Sequence, residues 1–229
     1  MSAQGMRGAR DAGGTRRLAV VSAGLRQPST TRLLADRLAK ATVVALGELG
    51  VQTQVDVVEV REHGHDLTNM LATGFASESL EKAIETVVSA DGLIAVTPIF
   101  SGSYTGPFKT FFDVIDDGAL AGMPVLLGAT AGTARHSLAI DHAMRPLFAY
   151  LRALVVPTGV FGATEDFGSA DRRSVGSTDG SADGVPPIAV RVDRAARELA
   201  PLVAGRKARE RTDPFSDPTP FERLLAGGS

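Results

Sequence analysis

Three hydroxyl side chains and an arginine crowd the predicted start of one helix. A short apolar run at residues 18–21 is typical of a strand buried on both faces, and Pro28 then opens a helix. A helix start offers free backbone N–H groups and a positive dipole end, which favour an anion. An ordinary capped helix, the alternative, needs only one hydroxyl. We therefore predict a phosphate site formed by Arg26, Ser29, Thr30 and Thr31.

The loop before this helix lacks both common nucleotide-binding motifs. No Gly-Lys-Ser/Thr follows the first strand, so it is not a Walker A loop, and Gly-x-Gly-x-x-Gly is also absent. A strand, a hydroxyl-rich loop and a helix with room for one phosphate indicate a mononucleotide, bound as in a flavodoxin.

Two further loops are rich in small and hydroxyl-bearing residues. The segment 97–109 reads TPIFSGSYTGPFK, in which Gly102 and Gly106 allow close approach of the backbone to a ligand. The segment 130–136 reads TAGTARH and follows a later strand. Two such loops can flank a planar ring, which favours FMN over a sugar phosphate. The candidate ring-binding residues are Pro98, Ile99, Phe100, Ser101, Tyr104, Thr130, Ala131, Gly132 and Thr133.

Composition limits the function classes. The 229 residues are 44% hydrophobic and 22% charged, as expected of one globular domain with tails. A net charge of −2 argues against nucleic acid as a partner. The absence of cysteine excludes disulfides and thiol catalysis, and we interpret the histidines at 63–65 as part of a polar loop, so no metal site is predicted.

The sequence predicts no contact with a membrane. No apolar run approaches the ~20 residues needed to span a bilayer. Residues 1–17 are rich in Gly, Ala and Arg and lack the apolar core of a secretory signal. We therefore expect the protein in the cytoplasm.

Strands and helices alternate along the chain, which predicts an α/β fold. The predicted strands are 18–21, 51–60, 93–97, 124–129 and 154–161. Such a repeat favours a flavodoxin-like three-layer sandwich with a five-stranded parallel sheet of order 2-1-3-4-5. Pro157 cannot donate a ladder hydrogen bond, which suits the edge position of the fifth strand. The three loops follow strands one, three and four and meet at the carboxyl edge of the sheet.

The helices and domain limits follow from periodicity and composition. Predicted helices cover 29–49, 67–71, 78–89, a stretch ending near 115, 136–152 with a kink at Pro146, and 188–203. We predict one domain at 16–205, a disordered segment at 1–15 and a tail at 206–229. The stretch 162–187 reads as a long surface loop. Glu59 is interpreted as a solvated charge rather than a ribose-binding acid.

The chain resembles the NADPH-dependent FMN reductases of flavodoxin-like fold. It looks closest to the branch partnered with flavin-dependent monooxygenases, which includes the alkanesulfonate-linked FMN reductases. The resemblance is carried by SAGLR at 22–26, TPIF at 97–100, SYTG at 103–106, ATAGT at 129–133 and DHAMRP at 141–146. It departs at Ala23-Gly24, where the family often has Gly-Ser.

This resemblance implies hydride transfer from NADPH or NADH to FMN, chemistry that the cofactor supplies, so no catalytic side chain is predicted. It adds Ser22, Gly24 and Leu25 to the FMN-binding residues. It also implies a homodimer or homotetramer and a flavin-dependent monooxygenase as partner. Three alternatives remain open: an FMN-retaining quinone or azo reductase, a non-enzymatic electron carrier or redox-sensing module, and a regulatory nucleotide-binding domain without flavin. The sequence does not decide between NADH and NADPH.

Overall fold

A mainly parallel sheet forms the middle layer of the computed structural model, which describes residues 15–168 and 186–206. Its strands are β1 (Arg16–Ser22), β2 (Thr53–Glu59), β3 (Gly92–Phe100), β4 (Ser103–Tyr104), β5 (Pro124–Ala131), β6 (Leu154–Val155) and β7 (Val160–Ala163). The order is β2-β1-β3-β5, with β6 and β7 both parallel to β5. Because β5 is the predicted fourth strand, the predicted order 2-1-3-4-5 is confirmed.

The predicted fifth strand is interrupted. Residues 156–159 separate β6 from β7, so the edge of the sheet consists of two short pieces. Pro157 has no N–H to donate, and the Val156 oxygen accepts a hydrogen bond from Arg145 at 2.8 Å. The proline therefore ends the pairing as well as marking the edge.

The predicted second loop is largely a β-hairpin. β3 continues past Thr97 to Phe100 and pairs antiparallel with β4, Phe100 lying opposite Ser103. The two turn residues, Ser101 and Gly102, have φ angles of 51° and 82°. Positive φ at both central residues is the geometry of the tight turn that matches strand twist. The candidate ring-binding segment is thus held by strand pairing.

The helices largely follow the prediction. They are α1 (Thr30–Glu48), α2 (Gly64–Thr73), α3 (Glu78–Val88), α4 (Gly106–Asp113), α5 (Arg145–Tyr150), α6 (Thr164–Gly168) and α7 (Ile188–Gly205). Residues 136–152 do not form one kinked helix, because a π-helical turn, Ile140–Met144, precedes α5. Pro146 lies in the first turn of α5, where its missing N–H costs nothing. The prediction of a surface loop at 162–187 is wrong for its first residues, because 162–163 end β7 and Thr164–Gly168 form α6.

Side chains of the central strands alternate between two cores. Along β1, Leu18 and Val20 pack with residues of α1 and α7, whereas Ala19 and Val21 pack on the opposite face. That second core contains Phe108, Phe111, Phe112 and Phe148. Burial on both faces explains why the strand reads as a continuous apolar run.

Some predictions concern the ends of the chain. Apart from Thr15 and Arg206, the predicted disordered segment 1–15 and the tail 206–229 lie outside the described residues. Within 15–168 and 186–206, no helix is both long enough and apolar enough to cross a membrane.

Phe112→Ala tests the aromatic core. The Phe112 ring is 1% exposed and lies 4.9 Å from both Phe108 and Phe148, centroid to centroid. We expect the free energy of unfolding to fall by about 3–5 kcal/mol, measured by urea denaturation. The matched control is Phe75→Ala, since Phe75 is 80% exposed and its loss should cost no more than about 0.5 kcal/mol. Equal losses in both variants would contradict this assignment of the core.

Candidate functional site

The structure brings the first and third predicted loops together at the carboxyl edge of the sheet. Thr31, in the first turn of α1, and Thr130, near the end of β5, are each 3% exposed. Their hydroxyl oxygens lie 2.7 Å apart and form a hydrogen bond. The Ala23 N–H donates to the Val96 oxygen at 2.9 Å, which holds the first loop against β3. The two loops therefore have a fixed separation.

Ser29 caps α1, as the sequence predicts. Its backbone is extended and its hydroxyl oxygen accepts a hydrogen bond from the Arg32 N–H at 3.2 Å. An accepting hydroxyl still carries its own proton, which it can donate to an anion. Thr30 and Arg26 are exposed, and Arg26 has no hydrogen bond or ion pair within residues 15–168 and 186–206. The loop thus combines a helix start with a cation available to a ligand.

Gly24 lies close against the start of α1, and we call this contact the Gly24 cradle. A Cβ atom on Gly24 would come within 2.1 Å of the Ser29 hydroxyl oxygen, so a larger residue would push Ser29 out of its capping position. The Ser22 hydroxyl is buried and has no hydrogen-bond partner among the described residues. Leu25 is 44% exposed at the rim. A glycine cradle with an unpartnered hydroxyl and donors at a helix start fits a phosphate group.

The hairpin divides its candidate residues between the core and the surface. The Ile99 side chain is 6% exposed and packs in the core, whereas Phe100 is 52% exposed. Tyr104 is half-buried with its ring centroid 5.9 Å from that of Phe108. At the base, the Thr105 N–H donates to the Thr97 hydroxyl at 3.3 Å. The contact with Phe108 is what a residue that packs against the core would make. A contact between Tyr104 and the flavin stays a prediction.

The remaining candidate ring-binding residues differ in their exposure to solvent. Pro98 is buried on β3, and Ser101 is exposed at the hairpin turn. At the end of β5, Ala131 is half-buried, and Gly132 and Thr133 are exposed. The backbone of this third loop is therefore accessible to a ligand. Whether these residues contact a flavin ring also stays a prediction.

Sequence reasoning missed an ion-pair network beside the phosphate loop. Glu59 has a side chain only 11% exposed, accepts a hydrogen bond from Arg32 at 2.5 Å and pairs with the Arg61 Nε at 3.2 Å. When the Gln27 side-chain amide is oriented with its oxygen towards Arg61, that oxygen accepts hydrogen bonds from the Arg61 guanidinium at 2.6 Å. The interpretation of Glu59 as a solvated charge is thus wrong. Its position at the carboxyl end of β2, beside the loop that follows β1, is the signal that could have revealed it.

Arg32 is held beside the loop by two carboxylates, Asp36 and Glu59. Its Nε donates to Asp36 at 2.8 Å, and this hydrogen bond, followed by that to Glu59, raises the pKa of Arg32 above its ordinary value. Arg32 and Arg61 therefore have carboxylate partners, which leaves Arg26 as the arginine of this loop best placed to meet a phosphate.

Comparison with known sequences identifies relatives over most of the chain. The family model for NADPH-dependent FMN reductase matches residues 16–168, a segment that contains all three loops. FMN reductase (NADPH) of Pseudomonas aeruginosa is 36% identical over 192 residues, covering 83% of this chain and 94% of the relative. NADH-dependent FMN reductase SfnE of Pseudomonas putida is 34% identical over 190 residues, covering 82% and 92%.

A solved structure agrees with this family match. An oxidoreductase from Corynebacterium diphtheriae superimposes with a TM-score of 0.74 at 44% sequence identity, covering 84% of this chain and 99% of that one. The sheet order, the loops at its carboxyl edge and the relatives lead to one conclusion. The chain belongs to the NADPH-dependent FMN reductase family and is an NAD(P)H:FMN oxidoreductase.

Proposed function

We propose that this protein binds FMN in the predicted loops and passes reduced FMN to a flavin-dependent monooxygenase. The observation that carries the site is the close approach of Gly24 to Ser29 at the start of α1. The unpartnered buried hydroxyl of Ser22 and the exposed Arg26, in the same loop segment, support it. When bound, FMN supplies the acceptor for a hydride from the reduced nicotinamide.

The chain's own contribution is binding and orientation. Arg26 and the hydroxyls of Ser29 and Thr30 hold the phosphate, and the loops 98–104 and 130–133 flank the ring. The Thr31–Thr130 hydrogen bond keeps the phosphate end and the ring end at a constant separation. Hydride transfer from a reduced nicotinamide to a flavin needs no side-chain acid or base, so we assign no catalytic residue.

The proposal also includes release of the reduced FMN to a partner monooxygenase. The motifs at 22–26, 97–106 and 141–146 support it, because they resemble those of reductases that serve monooxygenases. We place this exchange in the cytoplasm, where reduced nicotinamides are available. Tight retention of FMN would favour the alternative, a quinone or azo reductase.

We also propose that the protein is a homodimer or homotetramer. Large apolar side chains are exposed on and around α5: Leu138 is 62% exposed, Tyr150 79% and Leu154 50%. Burying such side chains against a second copy would remove apolar surface from water.

The first test measures the activity itself. We expect oxidation of NADPH or NADH, followed by absorbance, to require added FMN, and we expect desalting to remove most of the flavin. The ratio of kcat/KM for the two nicotinamides gives the preference. FMN that survives desalting, with faster turnover on quinones than on free FMN, would contradict flavin release.

Arg26→Ala tests the phosphate assignment by binding alone. A charge-assisted hydrogen bond contributes roughly 1.5–3 kcal/mol, so the Kd for FMN should rise about tenfold or more in calorimetry. Riboflavin has no phosphate, and its Kd should stay within about twofold. Lys40→Ala, an exposed cation farther along α1, is the control and should change neither value. Equal weakening of FMN and riboflavin by Arg26→Ala would refute the assignment.

Light scattering tests the assembly. We expect the mass of a dimer or tetramer at micromolar concentration, and Tyr150→Lys should shift it towards the monomer by placing a charge in the interface. Lys82→Glu changes the charge of an exposed residue on α3 and is the control. A monomer in the unaltered protein would exclude the proposed assembly.

A further inference from the structure

The loop that follows β5 exposes a continuous run of residues from a fixed position. Residues 132–138 are all exposed, although they follow a buried strand and precede the buried Ile140. Both ends of this run are anchored, because Thr130 is hydrogen-bonded to Thr31 at 2.7 Å and Ile140 packs in the core. The fold therefore holds the exposed residues at a defined place on the carboxyl edge of the sheet.

Arg135 lies in the middle of this exposed run, in a single 3₁₀ turn. It has no hydrogen bond or ion pair in the part of the chain that the structure describes. Asp141, farther along the same segment, pairs with Arg145 at 2.7 Å. Asp166 follows β7, the strand beside the end of β5, and pairs with Arg191 at 3.1 Å. Both carboxylates are thus committed to other arginines, and no described carboxylate neutralises Arg135.

Arg135 is the arginine at this edge that remains for a second anionic ligand. Among the described segments that follow the carboxyl ends of strands, arginines occur after β1, β2 and β5, as Arg26, Arg61 and Arg135. Arg61 pairs with Glu59, and Arg26 is assigned to the flavin phosphate. Because β3 lies between β1 and β5, Arg26 and Arg135 follow strands on opposite sides of the proposed ring site.

The second substrate of the reaction carries the anion that suits this position. NADH and NADPH both contain a diphosphate, which one ribose separates from the reactive nicotinamide ring. That ring must lie against the flavin for hydride transfer, and the loops 98–104 and 130–133 would flank the flavin. Arg135 is two residues beyond Thr133, a backbone span of at most about 7 Å. A guanidinium there can donate two parallel hydrogen bonds to phosphate oxygens.

We propose that Arg135 binds the diphosphate of the reduced nicotinamide cofactor and thereby holds the nicotinamide ring against the flavin. This proposal rests on the proposed function, which places the flavin ring between the two loops. NADH and NADPH share the diphosphate, so the contact serves both and does not select between them. The 2′-phosphate of NADPH lies beyond the diphosphate, on the ribose farther from the reactive ring.

Arg135→Ala tests the contact by steady-state kinetics with FMN as the acceptor. We expect the KM values for NADPH and NADH both to rise about five- to tenfold while kcat stays within about twofold, a moderate change because solvent screens an exposed ion pair. Calorimetry with NAD⁺ and NADP⁺, which bind without reacting, should show the same rise in Kd. Arg194→Ala is the matched control, since it removes an exposed arginine of α7 and should change none of these values.

Charge variants and salt separate a phosphate contact from a structural role. Arg135→Lys keeps the charge without the paired donors, so its KM values should lie between those of the unaltered protein and Arg135→Ala. Arg135→Glu should raise both KM values further. In the unaltered protein both KM values should increase with added NaCl, and Arg135→Ala should weaken that dependence.

Four results would overturn the proposal. Unchanged KM values for both nicotinamides in Arg135→Ala would refute the contact, and a rise confined to NADPH would assign Arg135 to the 2′-phosphate. A matching rise in the Kd for FMN would place Arg135 in the flavin site, and a change of mass in light scattering would place it in a subunit interface. Failure of the unaltered protein to bind FMN would refute the proposed function, a result that is read without any Arg135 variant.

Discussion

One buried hydrogen bond, between the hydroxyls of Thr31 and Thr130, joins the two ends of the proposed flavin site. Thr31 belongs to the helix that would receive the phosphate, and Thr130 to the strand whose loop would meet the ring. Both side chains are almost fully buried, where an unmade hydrogen bond costs about 1–3 kcal/mol. The arrangement therefore resists relative movement of the two loops, and a flavin of fixed length needs that constancy.

The phosphate loop is held from the β2 side as well. Glu59 pairs with Arg32, which sits on α1, and with Arg61, whose guanidinium bonds to Gln27 of the loop. Charges with this much burial need partners, since desolvation of an unpaired ion is costly. Pairing commits Arg32 and Arg61 to carboxylates and distinguishes them from Arg26, which stays available to a ligand. Arg26 is thus the cation of this loop that remains available to a ligand, while carboxylates neutralise Arg32 and Arg61.

An arginine that is free to bind the ligand, beside two arginines paired with carboxylates, suits a protein whose cofactor supplies the chemistry. FMN brings its own hydride acceptor, so the fold contributes position rather than acid or base groups.

Local sequence patterns determined most of the framework. The apolar run at β1 predicted a strand buried on both faces, Ser29 predicted the start of α1, and alternation of elements predicted the strand order. The strand and the helix start depend on neighbours within a few residues, so periodicity and capping suffice to predict them. The strand order follows from the rules that govern repeated strand–helix units. The three loops at one sheet edge followed from that order. Most of the candidate site was therefore predictable as a set of segments.

Only the tertiary structure decided what those segments contact. It turned 97–104 into a hairpin through Ser101 and Gly102, where strand pairing extended β3 beyond its apolar run. It made Glu59 an ion-pair partner of Arg32, a residue 27 positions away. It also divided the last strand at Pro157 and paired Thr31 with Thr130 across 99 positions. Such pairings depend on the packing of distant elements, which no local period in the sequence encodes.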